Sequence, residues 1–245
     1  MGLKHTVRRV LRKAGLDLNI YSLSGDARGR RAVLMSAHGI DGVLDVGANR
    51  GEYGLMVRAD GFRGEIHSFE PLSTAYGPLQ RLAAADGNWK AYNVALGAKE
   101  EDVQLNIAGN SYSSSILDMM PKHDALAPEA GYTGSETVSV RRLDGFAAAL
   151  GSCEQRYYLK ADTQGYELAV LEGAGDLLNA CPLVELELSF VELYDGQPLF
   201  DEVHAWMQAR GYRPVSFDVG PGQVDEKTGE ALQTDVVYLR NIVGG

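Results

Sequence analysis

Positive charge is scarce in this 245-residue chain: 23 lysines and arginines stand against 33 aspartates and glutamates, a formal net charge of -10. A surface of that sign repels phosphate backbones, so a nucleic-acid partner is not expected without a strong local basic patch. Residues 1–31 hold such a patch, with Lys4, Arg8, Arg9, Arg12, Lys13, Arg28, Arg30 and Arg31 against Asp17 and Asp26. It reads as a solvated helix face or a cover over the acidic body, and it leaves open a lid, a homodimer contact or a partner arm. Cysteine is nearly absent too. Cys153 and Cys181 are too few and too isolated for a disulfide framework or a zinc motif, and they suit core positions in a reducing compartment. No apolar run reaches about 18 residues, and the N-terminus lacks the apolar core of a secretory signal. A cytoplasmic protein without stable membrane insertion is the expectation. There is no internal repeat and no low-complexity segment, and a 45% hydrophobic content is enough for one large core.

What is present is an alternation of short apolar runs and helical stretches. Val7, Val10, Leu11 and Ala14 have the spacing of one helix face, so residues 1–40 are expected to form a helical, basic preface to a domain spanning 41–245. That domain opens with an apolar run over 42–47, a glycine turn and a helix over about 52–60. A second strand over 65–70, a helix over 73–85 and a third strand over 89–96 follow. From 97 to about 155 the rhythm breaks into two alternating strands, 103–107 and 137–141, around a serine-rich loop. This reads as an insertion that shapes the acceptor pocket. The rhythm resumes with a strand over 157–162, a helix over 167–178, a strand over 182–189 and a helix over 200–210. A closing antiparallel pair is expected over 212–217 and 235–239. Strands alternating with helices at this pitch imply βαβ units and a parallel sheet, with ligands beyond the carboxyl ends of the strands.

The sharpest motif is Leu44-Asp45-Val46-Gly47-Ala48-Asn49-Arg50-Gly51. A strand ending in Asp-x-Gly-x-x-x-Gly lets backbone approach a ligand closely, and the amides of the following helix can take up an amino-acid carboxylate. About 25 positions after Asp45, Phe69-Glu70-Pro71 ends the second strand with a carboxylate whose two oxygens match a ribose diol. Dinucleotide enzymes share both features, but the third glycine of Gly-x-Gly-x-x-Gly is missing, and Asp45 would be a poor neighbour for a pyrophosphate.

These motifs, with Ser113-Ser114-Ser115, Leu143-Asp144 and Leu159-Lys160-Ala161-Asp162-Thr163-Gln164-Gly165-Tyr166-Glu167, make residues 40–240 similar to the FkbM-type methyltransferases. The resemblance implies a class I methyltransferase-like, doubly wound α/β fold: a mostly parallel seven-stranded sheet, a C-terminal antiparallel pair, and an insertion between the third and fourth core strands. It also implies S-adenosylmethionine as donor and O-methylation of sugar, polyketide or related natural-product hydroxyls. By the family pattern Gly47 and Asn49 would lie along the methionine portion, Glu70 on the ribose and Asn93-Val94-Ala95 near adenine, with Asp45 and Gly51 completing the cofactor turn. The family's fourth block is usually Lys-x-Asp-x-Glu-Gly-x-Glu. Here Gln164 replaces a carboxylate by an amide.

Asp162 ends the fourth core strand and is the candidate for the reacting end of the site. Four roles are open to it: holding the cofactor's amino group, orienting a hydroxyl, accepting its proton, or binding a divalent ion. Glu185 and Glu187 point to one face of the next strand by period-two alternation, where buried carboxylates must be paired or coordinated. With Asp162, one or both would form an oxygen-ligand site suited to magnesium. Methyl transfer from a sulfonium needs in-line positioning and removal of the hydroxyl proton. His123, in the insertion, is the favoured base. The competing readings are a nucleic-acid or protein methyltransferase and a non-catalytic nucleotide-binding scaffold of the same fold.

Overall fold

The computed structural model describes residues 23, 26–110, 112–121, 128–151, 155–220 and 222–241. The expected N-terminal helix around Val7 to Ala14, together with Cys153 and His123, lies outside them. The first described helix is α1 (Ala27–Ala37). The elements after it are β1 (Gly42–Val46), α2 (Glu52–Ala59), β2 (Glu65–Phe69), α3 (Ser73–Asp86), β3 (Trp89–Tyr92), β4 (Ala95–Leu96), β5 (Glu101–Ala108), β6 (Tyr132–Arg141), β7 (Tyr157–Ala161), α4 (Glu167–Ala174), β8 (Leu183–Ser189), α5 (Phe200–Ala209), β9 (Tyr212–Asp218) and β10 (Gln233–Arg240).

Seven strands form one sheet in the order β3-β2-β1-β7-β8-β10-β9. β1 pairs in parallel with both β2 and β7, β7 in parallel with β8, and β10 runs antiparallel between β8 and β9. This is the mostly parallel sheet with a closing antiparallel pair that the alternation predicts. β1 is buried at all five positions, as a central parallel strand covered on both faces must be. Leu44, Val46, Leu159, Ala161, Val184 and Leu186 point to the face covered by α4 and α5. Val43, Ile66, Tyr158 and Leu183 point to the face covered by α1, α2 and α3, through Met35, Val57, Leu79 and Ala83.

One boundary differs from the expectation. The strand expected over 89–96 is split: Tyr92 still pairs with Phe69 on β2, but Ala95 pairs with Val140 on β6, so β4 belongs to a second sheet of order β4-β6-β5. Between them the Asn93 amide donates to the carbonyls of Glu70 and Pro71, each at 2.9 Å, and turns the chain out of the main sheet. Within the expected preface, α1 packs onto the body. Arg31 reaches Glu185 on β8, Arg30 donates to Ser216 Oγ at 3.0 Å, and Arg28 pairs with Asp60 at 2.6 Å. Three of the basic residues of the N-terminal patch therefore serve internal contacts. Among the described residues no helix is long and apolar enough to cross a membrane.

Candidate active site

A cavity of about 340 Å³ opens beyond the carboxyl ends of β1, β2 and β7, where open parallel sheets bind ligands. Val46 and Gly47 line it after β1, Glu70 after β2, Ala95 from β4, and Asp162, Thr163 and Gln164 after β7. Glu187 of β8 contributes from the same side, and the insertion adds Leu105, Tyr112, Ser114 and Ile116.

The glycine turn is shaped by contact with β7. Gly47 has φ 75°, and a Cβ there would lie 1.9 Å from the Asp162 carbonyl oxygen, so only glycine fits. The Asp162 amide in turn donates to the Val46 carbonyl at 3.1 Å. Asn49, also left-handed at φ 46°, presents its backbone N–H to Glu70 Oε2 at 2.8 Å, and the Leu72 N–H reaches Glu70 Oε1 at 2.8 Å. Burial pushes the Glu70 carboxyl up to about 7, against the pull of those two amides. A carboxylate with two backbone donors and an open side on the cavity suits a vicinal diol, and the apolar wall of Leu72, Val94, Ala95 and Leu96 suits a flat heterocycle.

Three of the predicted cofactor residues, Asp45, Gly51 and Asn93, are not part of the cavity wall. Asp45 is fully buried beneath the turn rather than in the cavity wall, with Ser68 Oγ donating to it at 3.0 Å. Gly51 is buried at the start of α2, where a Cβ would press on Leu79, Leu82 and Trp89 at 3.1 to 3.2 Å. Asn93 is exposed beside the cavity and holds the β3 to β4 turn, while Ala95 lines the wall.

Sequence reasoning gave Lys160 no role, although a lone cation in a buried apolar strand is the signal that could have found it. Strand register aligns Ser68, Asp45, Lys160 and Glu185 in one row across β2, β1, β7 and β8. Lys160 Nζ stands 3.8 Å from Asp45 and 3.4 Å from Asp162. Burial alone would lower its pKa, but the carboxylates of Asp162, Asp45 and Glu185 outweigh that and hold it cationic. The loop after β7 is pinned by a residue that sequence reasoning passed over. Glu167, the first residue of α4, accepts the Thr163 N–H at 2.7 Å and the Gly165 N–H at 3.1 Å, so it, rather than Asp162, ties the loop to the helix start. Burial raises Glu167 to about 7.

The magnesium site expected from Asp162, Glu185 and Glu187 does not fit the side chains. Glu185 is taken by Arg31 and by the hydroxyls of Tyr53 and Tyr158, at 2.7 and 2.9 Å. Glu187 accepts from the amides of Gln164, Gln223 and Gln233 at 2.7 to 3.1 Å. These donors occupy the oxygens that a metal would need. Among the described residues no group of three or more His, Cys, Asp or Glu is placed to hold an ion.

Residues 45–214 match the family model of the methyltransferase FkbM domain. The chain belongs to the FkbM methyltransferase family. A protein called Methyltransferase 1 from Beauveria bassiana is 26% identical over 187 residues, covering 69% of this chain and 71% of that protein. Among solved structures, the methyltransferase domain of a bacterial CtHen1 aligns at 10% identity and a TM-score of 0.46, over 89% of this chain and 100% of that one. TehB from Haemophilus influenzae aligns at 8% identity and a TM-score of 0.45, over 86% of this chain and 62% of that one. In this FkbM methyltransferase, then, the turn holding Gly47, the Glu70 carboxylate and the Asp162 to Gln164 loop meet at one cavity. The family's fourth block carries the amide of Gln164 at the centre of its polar end.

Proposed function

We propose that this methyltransferase uses S-adenosylmethionine to methylate a hydroxyl of a neutral, polyhydroxylated small molecule, a saccharide or a related natural product. The observation that carries this reading is the cavity wall. It presents the carboxylates of Glu70, Asp162 and Glu187, the hydroxyls of Tyr112, Ser114 and Thr163, and the Gln164 amide, and among the described residues no lysine or arginine lines it. Such a wall recognises hydroxyls and repels phosphates.

The donor, when bound, supplies an electrophilic methyl group on a sulfonium. Glu70 would hold its ribose, the Gly47 to Asn49 turn its amino-acid portion, and the Val94 to Leu96 wall its base. Asp162, fixed by Lys160 on one oxygen and by Gln164 at 2.8 Å on the other, is suited to orienting the acceptor hydroxyl. His123 is the proposed base that takes the hydroxyl proton.

The test is calorimetric titration with S-adenosylhomocysteine and, separately, NAD, followed by transfer from labelled donor to neutral polyols, sugar phosphates and RNA. Micromolar binding of the homocysteine compound alone and label on neutral polyols is the expected result. NAD binding alone would overturn the reading of the glycine turn, label on RNA would move the acceptor to nucleic acid, and donor binding without turnover on any acceptor would leave a scaffold.

A further inference from the structure

Asp162 directly follows β7 and Glu187 lies near the carboxyl end of the adjacent parallel strand β8, and both are hydrogen-bond acceptors facing the same cavity. Two carboxylates so placed repel each other unless a proton, a cation or a donor stands between them. Here the donor is a single atom. Gln164 Nε2 donates to Asp162 Oδ1 at 2.8 Å and to Glu187 Oε2 at 2.7 Å, which uses both of its hydrogens. The other end of the amide is fixed as well, since the Tyr194 hydroxyl donates to Gln164 Oε1 at 2.7 Å. The backbone is held in the left-handed region at φ 57°, with Ser115 Oγ donating to the Gln164 carbonyl at 2.8 Å. The reverse amide orientation would set an oxygen against two carboxylates, so the network itself decides which end is nitrogen.

Resting on the methyl-transfer reading above, we propose that Gln164 is a positioning residue: its neutral amide clips Asp162 to Glu187 in the place a bridging divalent cation would otherwise fill. Transfer by this protein is accordingly independent of added metal. Replacing the amide by a carboxylate converts three converging groups into an oxygen-ligand cation site.

The experiment compares the full-length protein with Gln164→Glu, Gln164→Met and Tyr194→Phe. Manganese binding is followed by electron paramagnetic resonance, S-adenosylhomocysteine affinity by calorimetry, and transfer by kcat and KM with magnesium or EDTA. Gln164→Glu is expected to bind manganese at least about tenfold more tightly than the unaltered protein, which should show no specific site. Gln164→Met, which loses two hydrogen bonds to charged or buried carboxyls, should lose about 10- to 100-fold in kcat while donor affinity stays within about threefold. Tyr194→Phe, which removes the brace and keeps the clip, should give a smaller loss of the same kind. It reads the proposal even where the Gln164 variants do not fold. Specific manganese binding by the unaltered protein, loss of its activity in EDTA, or a Tyr194→Phe enzyme with unchanged kcat would each overturn the clip. Failure of the unaltered protein to bind S-adenosylhomocysteine would instead strike the methyl-transfer reading and leave the manganese comparison intact.

Discussion

The guanidinium of Arg31 on α1 holds both carboxylate oxygens of Glu185 in the middle of β8, with Nε 2.8 Å from Oε2 and Nη2 on Oε1. Both side chains are buried, and the hydroxyls of Tyr53 and Tyr158 complete the acceptor's shell. Burial by itself would raise the Glu185 carboxyl. The Arg31 charge and the three donor groups outweigh it, so Glu185 lies below the ordinary carboxylate range. Removing one partner leaves the other charge buried, which costs about 3 to 5 kcal/mol, whereas replacing both by apolar groups costs less. Arg31→Met is therefore expected to lower the urea midpoint sharply, and the double change with Glu185→Leu should recover much of it. Because the folded pKa is depressed, this stabilisation is present above the unfolded value and lost as pH falls through the folded one. The gap between Arg31→Met and the unaltered protein should close below about pH 4. An Arg31→Met midpoint equal to that of the exposed Arg28→Met would sink this account.

Under the proposed donor site, Glu70 is expected to make donor binding depend on pH. Its carboxyl is raised to about 7 by burial, so it is partly protonated at neutral pH and gains acceptor strength as it ionises. Affinity for S-adenosylhomocysteine should rise between pH 6 and 8, and Glu70→Gln should both weaken it and flatten its pH dependence. The sign for folding is opposite. A raised carboxyl means the folded state binds more protons, so the Glu70 contribution to stability falls as pH rises from about 4.3 toward 7. Calorimetric titrations at three pH values decide the point, and a parallel slope in Glu70→Gln would assign the effect to another group.

Gly47 and Gly87 separate steric from conformational demands. Both have positive φ, 75° and 80°, but a Cβ at Gly47 would sit 1.9 Å from a carbonyl oxygen while one at Gly87 meets nothing within 4 Å. Gly87→Ala should cost about 1 kcal/mol, a fall in Tm of about 2 to 4 °C. Gly47→Ala has to push the turn away from β7. It should lose donor binding by more than about tenfold as well as melting lower; equal, small effects of the two changes would mean that the turn yields easily.

In the proposed arrangement Asp162→Ala should abolish transfer, because the acceptor hydroxyl would lose its orienting group and Lys160 loses one of its two close carboxylates. Glu70→Ala should mainly weaken the donor, raising its KM with a smaller fall in kcat. Steady-state kinetics on the two variants test the division of the cavity into a donor half and a reacting half. Equal and small effects of both would remove it.

The amino-acid sequence by itself determined the order of strands and helices, the glycine turn and the acidic strand end. Those features rest on local physics: period-two and period-3.6 apolar patterns, glycine at a left-handed position, and a carboxylate just past a buried strand. The same locality explains the errors. Residues 89–96 are apolar enough to be one strand, and only the Asn93 amide, reaching back to Glu70 and Pro71, divides it between two sheets. Period-two alternation correctly put Glu185 and Glu187 on one face and demanded partners for them, but it carried no information on which partners. The fold supplied an arginine 154 residues away for the first and three glutamine amides for the second. Parallel register is what decides this. It sets Asp45, Lys160 and Glu185 side by side from three strands far apart in the chain. The electrostatics of a buried group depend on neighbours within a few ångströms, whatever their distance along the sequence.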